Sequence, residues 1–371
     1  MKKFIIFLCL TCLLIFSSLA SEQINIAVVF STTGVAAIHN APLVEMVKLA
    51  VDEINNEGGL LGQPVKLIML DNKSTPIGSR LAGEQAVQMN AAAVIGAHWS
   101  SHSLAMAPVF QKAGIPMISP GSTNPKVTRV GNYIFRVCFL DSFQGEAMAK
   151  FAYVDLGARS AVVLRNVDEA YSTMLGEYFI SAFKRVGGEV VFDGHYKGKA
   201  VDFSNLVGEI AKLGPDVVYI PGYTRDSGLI IKQAESLGVK ATFLGGDAWD
   251  EIYKYAGKAA DGSYHSAPWH PDVPLQKSIH LKEVYRQKYN REIVNMSAPL
   301  AYDAFMVLAD AIKRAGTLNG KELRDAIAET NEFSGATGIF SFDENGDPRG
   351  KEIIILRLEN ERPFYHKAIS P

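Results

Sequence analysis

Two short segments of this chain place hydroxyl side chains directly after apolar runs of strand length. Ser122 and Thr123 follow the run that ends at Ser119, and Ser100 follows the run that ends at Gly96. The carboxyl ends of parallel strands form the edge of an α/β sheet at which ligands bind. Hydroxyl groups and free backbone N–H groups there can hold a small anion such as a carboxylate. The pattern predicts a carboxylate seat, although the same residues would also serve as helix N-caps.

The elements that would position this seat alternate between strand and helix. Between the apolar runs lie stretches of helical period, such as Pro42–Asn55, where apolar residues recur every third or fourth position. This alternation predicts an α/β fold with parallel sheets, and the continuously apolar strands predict burial on both faces. The strand candidates are Ile24–Phe30, Val65–Leu70, Ala93–Gly96, Pro116–Ser119, Ala161–Leu164, Val190–Phe192, Val217–Ile220 and Thr242–Gly245.

The first twenty residues have the pattern of a cleaved export signal. Two lysines precede an apolar run from Phe4 to Phe16, and a small-x-small cleavage site ends at Ala20. The run is too short to span a bilayer comfortably. A lipoprotein signal is the alternative because Cys12 lies in the run. The run continues past Cys12, however, so we do not expect a lipid anchor.

Charge, cysteine content and length narrow the remaining classes. The formal net charge is −2, and loss of two lysines with the signal leaves −4, which argues against a nucleic-acid partner. Cleavage also leaves Cys138 as the only cysteine, so no internal disulfide is expected and Cys138 is predicted to be a buried apolar residue. The remaining chain of about 350 residues exceeds one hydrophobic core, which predicts two lobes.

Further landmarks continue along nearly the whole chain after the two hydroxyl segments. They are LDSFQG at 140–145, DFSNL at 202–206, GYTRDSG at 222–228 and GGDAWD at 245–250. In their order and spacing, these motifs resemble the periplasmic leucine/isoleucine/valine-binding proteins, the type I solute-binding proteins of ABC transporters.

That resemblance implies a type I periplasmic-binding-protein architecture. It has two Rossmann-like, doubly wound parallel-sheet lobes joined by three hinge strands. The crossings would fall near residues 140–141, 267–271 and 341–346, and the C-terminal segment Glu352–Leu358 would return as a strand of the second lobe. The expected division is a signal peptide at 1–20, lobe 1 at 21–140 and 268–341, and lobe 2 at 141–267 and 342–371.

The resemblance also implies which residues bind the two charged ends of a ligand. Ser100, Ser122 and Thr123 match positions that hold the ligand's α-carboxylate. Asp247 matches an acidic residue that pairs with the α-amino group, although better-known members carry glutamate there. A charge-assisted bond to a desolvated ammonium is strong and orients the ligand. For Asp247, capping of the following helix is the alternative.

Aromatic residues and one histidine match positions around the rest of the ligand. Tyr171 and Tyr223 match tyrosines that cover or contact it, while Trp99 and His39 align near its side chain. Trp249 is a further candidate. For the tyrosines and tryptophans, plain packing is the alternative. Tryptophan would suit an apolar side chain, but His39 complicates a purely aliphatic assignment because it can donate a hydrogen bond.

The resemblance implies that the protein binds a small molecule and does not catalyse a reaction. We expect a monomeric periplasmic protein that takes a small amino acid, branched-chain or with a similar apolar side chain, and delivers it to the permease of an ABC transporter. No cofactor is expected, and no metal, because His98 and His102 lack the glutamate of a zinc motif. One alternative is a ligand sensor for urea, a short amide or an aromatic acid, serving a receptor partner. The other is a periplasmic enzyme, which we do not expect; a hydrolase with the G-x-S-x-G motif is disfavoured because that motif does not occur.

Overall fold

The computed structural model describes residues 23–371, so the predicted signal peptide lies outside the described residues. The strands are β1 Ile24–Phe30, β2 Val65–Asp71, β3 Ala93–Gly96, β4 Met117–Ser119, β5 Ile134–Arg136, β6 Ser160–Asn166, β7 Glu189–Tyr196, β8 Val217–Ile220, β9 Thr242–Gly245, β10 Tyr264–Ala267, β11 Phe333–Gly335, β12 Gly338–Phe342, β13 Pro348–Arg349, β14 Ile353–Glu359 and β15 Arg362–Ile369. The helices are α1 Ala37–Asn56, α2 Pro76–Gln88, α3 Ser100–Ala113, α4 Asp141–Lys150, α5 Ala170–Arg185, α6 Ser204–Leu213, α7 Thr224–Ser236, α8 Tyr253–Ala256, α9 Gln276–Tyr289, α10 Pro299–Ala315 and α11 Gly320–Ala328.

Two main sheets share one strand order. The first runs β2-β1-β3-β4-β5, and all its neighbouring strands are parallel. The second contains β7-β6-β8-β9-β10 in the equivalent parallel order and adds β14 and β15 as antiparallel edge strands. We call the halves built on these sheets the first and the second lobe. In this doubly wound order, the ligand crevice lies at the carboxyl ends of the strands where the order reverses.

Both sheets are buried on their two faces, as the apolar strands predicted. In β1, Ile26 and Val28 belong to one hydrophobic cluster, while Ala27 and Val29 belong to the cluster on the opposite face. The alternation follows from the two-residue period of a strand. Strand β8 divides its side chains between two further clusters in the same way. Each lobe therefore has its own core on both sides of its sheet.

The eight predicted strands are all present, with ends shifted by up to four residues. The predicted C-terminal strand is also confirmed as β14. The predicted start of the first helix was wrong, because α1 begins at Ala37 and contains Pro42. A proline inside a helix removes one backbone hydrogen bond. Here it lies close enough to the N-terminus for the helix to continue through it.

The chain passes between the lobes three times. It leaves β5 and enters α4 of the second lobe, and it returns after β10 to reach α9, which packs in the first-lobe core. Before the third passage, Arg136 Nε donates to Asp347 Oδ1 at 2.7 Å, and the Arg136 N–H donates to the Gly346 carbonyl. These contacts favour a third passage nearer to β14 than to residues 341–346. The predicted residue bounds of the lobes stay a prediction.

Cys138 lies between β5 and α4 and is a fully buried free thiol, as predicted. Burial raises its pKa above the ordinary range. Within residues 23–371, no helix is both long and apolar enough to cross a membrane.

Candidate functional site

The first lobe contributes the ends of β3 and β4 to the cleft. Trp99 precedes the first residue of α3, Ser100, and both are buried. The Ser100 hydroxyl accepts a hydrogen bond from the Asn124 N–H at 3.3 Å. Thr123 is fully buried, and its hydroxyl makes no hydrogen bond of normal geometry within the described part of the chain, although it lies near enough to the Asp141 carboxyl to lower the pKa of that group. Ser100 and Thr123 therefore lie together at the sheet edge where the sequence placed them.

Ser122 lies at the same edge, but its polar groups are used inside the first lobe. Its hydroxyl donates to the His98 carbonyl at 3.0 Å and lies 2.8 Å from Ser103 Oγ. Its N–H donates to Ser119 Oγ at 3.1 Å. Through these bonds, Ser122 holds together the loops that follow β3 and β4. Its predicted contact with a ligand carboxylate stays a prediction.

The second lobe contributes Tyr171, Tyr223 and Asp247. Tyr171 is the second residue of α5, Tyr223 precedes α7, and Asp247 follows β9 after two glycines. The Tyr171 hydroxyl donates to Asp247 Oδ1 at 2.8 Å. A Cβ at Gly246 would collide with this Tyr171 hydroxyl, so the close approach requires glycine there. The structure thus joins two predicted site residues directly.

The two edges meet face to face. The Trp99 and Tyr223 rings stack with centroids 3.8 Å apart and planes 16° apart, and Tyr171 stacks on the other side of Tyr223 at 5.5 Å. Asn124 Nδ2 donates across the cleft to the Ala170 carbonyl at 3.0 Å. The structure is therefore a closed arrangement in which side chains of both lobes touch.

A cavity of about 350 Å³ extends from this aromatic stack, with walls from both lobes. His39 reaches it from the first turn of α1 rather than from a loop, and burial lowers the pKa of its imidazole. A neutral imidazole can donate one hydrogen bond and accept another. The other walls include Trp99, Glu169, Tyr223 and Asp226. Of the predicted side-chain contacts, His39 and Trp99 therefore share one cavity.

Trp249 lies elsewhere. It is 1% exposed and packs in the core of the second lobe against β9, where its ring fills the space beside Gly245. The packing alternative given for Trp249 is the arrangement that the structure has.

The carboxyl groups of the second lobe are perturbed by burial. Burial raises the pKa of Asp247 from 3.8 to about 6, although the Tyr171 hydroxyl donates to it. It also raises the pKa of Glu169, which accepts from the Ser101 hydroxyl at 3.0 Å, to about 7. Asp141 at the start of α4 is fully buried, and its pKa lies well above the ordinary range for the same reason. Burial favours the neutral acid, whereas a cationic group placed beside such a carboxyl would favour its charged form.

Three helices direct their N-termini at the cleft without a side-chain cap. Among the described residues, no side chain caps α3, α5 or α7, whose N-cap residues are Trp99, Glu169 and Tyr223. The capping alternative for Ser100 is therefore not what the structure has, because Ser100 is the first residue inside α3. Uncapped first-turn N–H groups remain available as donors.

Sequence reasoning did not select several polar residues of the site. Asp141, Gln144, Asn124 and Glu169 are buried or make bonds at the cleft, although none was a candidate. Asp141 and Gln144 lie in the LDSFQG landmark, so their presence in a recurring motif was the available signal. Within residues 23–371, no group of three or more His, Cys, Asp or Glu is placed to hold a metal ion.

Comparison with known proteins gives a consistent set of relatives. A family model described as periplasmic binding protein matches residues 23–361. The leucine-, isoleucine-, valine-, threonine-, and alanine-binding protein of Pseudomonas aeruginosa is 29% identical over 350 residues, 93% of this chain and 92% of that protein. Leu/Ile/Val-binding protein homolog 1 of Brucella suis is 27% identical over 354 residues, 94% of each chain.

Solved structures with the same fold span nearly the same length. The leucine binding protein LivK of Thermotoga maritima has a TM-score of 0.88 and 35% identity, and the match covers 94% of this chain and 99% of that chain. The substrate binding protein LivJ of the branched-chain amino acid transporter of Streptococcus pneumoniae, in complex with isoleucine, has a TM-score of 0.89 and 29% identity. That match covers 94% of this chain and all of the other.

Proposed function

The chain belongs to the periplasmic binding protein family, and from this premise we propose that it captures a branched-chain or similar apolar α-amino acid between its lobes. The observation that carries the proposal is Asp247, an 8% exposed carboxylate that accepts a hydrogen bond from Tyr171, one of the aromatic residues stacked between the lobes. The relatives named as binding leucine, isoleucine, valine, threonine or alanine support the same class of ligand.

The proposed mechanism is recognition of both ends of a zwitterion. Asp247 accepts the ligand's ammonium, and Ser100, Thr123 and the first-turn N–H groups of α3 hold its carboxylate. The side chain points towards Trp99, Tyr171, Tyr223 and His39. A simple amine or a simple acid would leave one buried polar group unpaired, which costs about 1–3 kcal/mol. Capture of an amino acid is thereby favoured over capture of its one-ended analogues.

The proposal also includes delivery of the bound amino acid to a transporter. The protein works in the periplasm as a monomer, carries no cofactor and performs no chemistry, and its closed form docks on the permease of an ABC transporter. Each lobe supplies part of the contacts, so a ligand that bridges them stabilises closure through its differential affinity. Membership of the family supports this role, as do the relatives named as transporter components.

Calorimetry with the processed protein tests the ligand class. We expect binding of leucine, isoleucine or valine, with weaker or no binding of isobutylamine and of 4-methylpentanoate, the one-ended analogues. Urea, short amides and benzoate belong in the same series, because preference for one of them would support the sensor alternative. Equal binding of 4-methylpentanoate and leucine would contradict recognition of a zwitterion.

Small-angle scattering tests the closing step. We expect a smaller radius of gyration when leucine saturates the protein, because the lobes approach around the ligand. An unchanged scattering profile at saturation would contradict closure as the mechanism of capture.

A further inference from the structure

Gln144 is a fully buried amide on the second turn of α4. Its Oε1 atom accepts two hydrogen bonds, from the Asp247 N–H at 2.9 Å and from the Ser266 hydroxyl at 2.7 Å. A carbonyl oxygen has two lone pairs, so both bonds can form together and saturate it. The Gln144 amide nitrogen lies 3.5 Å from Asp141 Oδ1, at the outer limit of a hydrogen bond.

These partners belong to parts of the chain that are far apart in sequence. Ser266 lies in β10, one residue before the strand ends and the chain returns to the first lobe. Gln144 itself lies three residues after the start of α4, where the chain has just entered the second lobe. Asp247 is the proposed acceptor of the ligand's ammonium. One side chain therefore connects two of the three passages between the lobes with the acceptor.

We infer that Gln144 is a positioning residue that couples the ammonium acceptor Asp247 to the two passages on which the lobes hinge. This inference rests on the proposed function, because it assigns a role within the same cleft. Gln144 touches no ligand in the scheme; it acts through the Asp247 main chain.

The local packing makes this coupling stiff. A Cβ at Gly246 would lie only 2.8 Å from Gln144 Oε1, too close for a real contact, so the glycine lets the turn before Asp247 pack directly against the amide. Hydrogen bonds in a water-free interior are hard to replace once lost, because the freed group has no solvent partner. Loss of the Gln144 carbonyl would free the Asp247 N–H and let the carboxylate move relative to β10.

A set of substitutions tests the role through the affinity for leucine, measured by calorimetry. Gln144→Met keeps the length of the side chain and removes the acceptor, and we expect it to weaken binding about tenfold, because the Asp247 N–H and the Ser266 hydroxyl both lose their acceptor.

Gln233→Met is the matched control. Gln233 lies on α7 of the same lobe and also uses both ends of its amide, accepting from the Phe203 N–H at 2.8 Å and donating to the Val201 carbonyl at 2.9 Å. Its partners lie away from Asp247. We expect Gln233→Met to lower the melting temperature of the ligand-free protein while the affinity for leucine stays that of wild type.

Ser266→Ala completes a double-mutant cycle and remains informative if Gln144→Met does not fold. Alone, it should weaken leucine binding about threefold, because Ser266 contributes to binding through Gln144. Combined with Gln144→Met, it should add nothing to the loss of affinity.

Three results would overturn the role of Gln144. They are wild-type affinity in Gln144→Met, wild-type affinity in Ser266→Ala, or multiplied losses in the double variant. Failure of the wild-type protein itself to bind any amino acid is a different result, because it would overturn the proposed function and the inference with it.

Discussion

The two sides of the cleft are built on the same strand order and carry opposite chemistry. In the first lobe, the strand ends present Ser100, Ser122 and Thr123, which are neutral hydroxyl groups. In the second lobe, the segments after β6 and β9 present Glu169 and Asp247, buried acids with raised pKa values. The same edge of the fold therefore presents neutral hydroxyl groups in the first lobe and buried acids in the second. We expect the strength of binding and its pH response to come from the second lobe.

The largest expected effect concerns the charge of the second lobe. Asp247→Ala and Asp247→Asn should each weaken binding of any α-amino acid by about 2–5 kcal/mol, because one partner of a buried charged pair is lost. Calorimetry with leucine measures the change. Asp325→Ala, on α11 and away from the cleft, is the control that should bind normally. Wild-type affinity in Asp247→Ala would remove the contrast between the lobes.

A second test addresses the aromatic contact between the lobes. Trp99 lies against Tyr223 and borders the cavity. Trp99→Ala should favour larger ligands by about 1–3 kcal/mol relative to smaller ones, the usual limit for an apolar pocket. The measurement is the ranking of alanine, valine, leucine and phenylalanine in wild type and variant. Equal weakening of all four would mean that Trp99 serves only packing.

Two hydroxyl groups at the same edge of the first lobe, those of Thr123 and Ser122, are expected to respond differently to removal. Thr123→Val removes a hydroxyl that makes no hydrogen bond of normal geometry in the described chain. We expect it to weaken leucine binding by about 1 kcal/mol. Ser122→Ala removes a hydroxyl bonded to His98 and Ser103, and should lower the free energy of unfolding by about 1–2 kcal/mol while the Kd stays unchanged. Urea denaturation and calorimetry on both variants separate the two effects. The reverse pattern would show that Ser122 is the ligand contact.

The pH response expected of the second lobe tests the same comparison without a substitution. Ligand binding needs the Asp247 carboxylate, whose pKa is about 6, so affinity should fall about tenfold per unit below pH 6. Stability changes in the opposite direction. A carboxyl group with a pKa raised from 3.8 to about 6 stabilises the fold below pH 3.8 and loses that contribution as the pH rises through 6. Calorimetry and thermal unfolding from pH 4 to 8 measure both, and Asp247→Asn should flatten the affinity profile.

The sequence predicted the parts of the fold that follow from apolar runs. Strand β8 is a continuous hydrophobic segment and β1 has only Asn25 as a polar residue, so their positions follow from the order of apolar residues in the sequence. Strand β10 was not predicted, because Tyr264–Ala267 contains His265 and Ser266 and becomes a strand only by pairing with β9 and β14. The start of α1 was missed since Pro42 is a normal helix-start signal, and tertiary packing overrides it here.

The site shows the same limit. The position of Ser100 after a strand could be read from the chain, whereas Tyr171 and Asp247 were assigned through the resemblance to the binding-protein family. The direction of the Ser122 hydroxyl could not, since it depends on carbonyl groups of the loop after β3. Gln144 was equally hidden, because nothing in a sequence reports that an amide has no exposure and two donors at its oxygen.

The rate at which a reagent labels the Cys138 thiol can measure how often the folded molecule opens. Thiol reagents react with the thiolate, and this thiol is fully buried with a raised pKa, so the folded protein resists modification. It lies beside the first passage between the lobes, in the core shared with β5. A reagent in excess would therefore count the excursions that expose this core. Labelling rates with and without leucine would report how strongly captured ligand suppresses unfolding, without any attached probe.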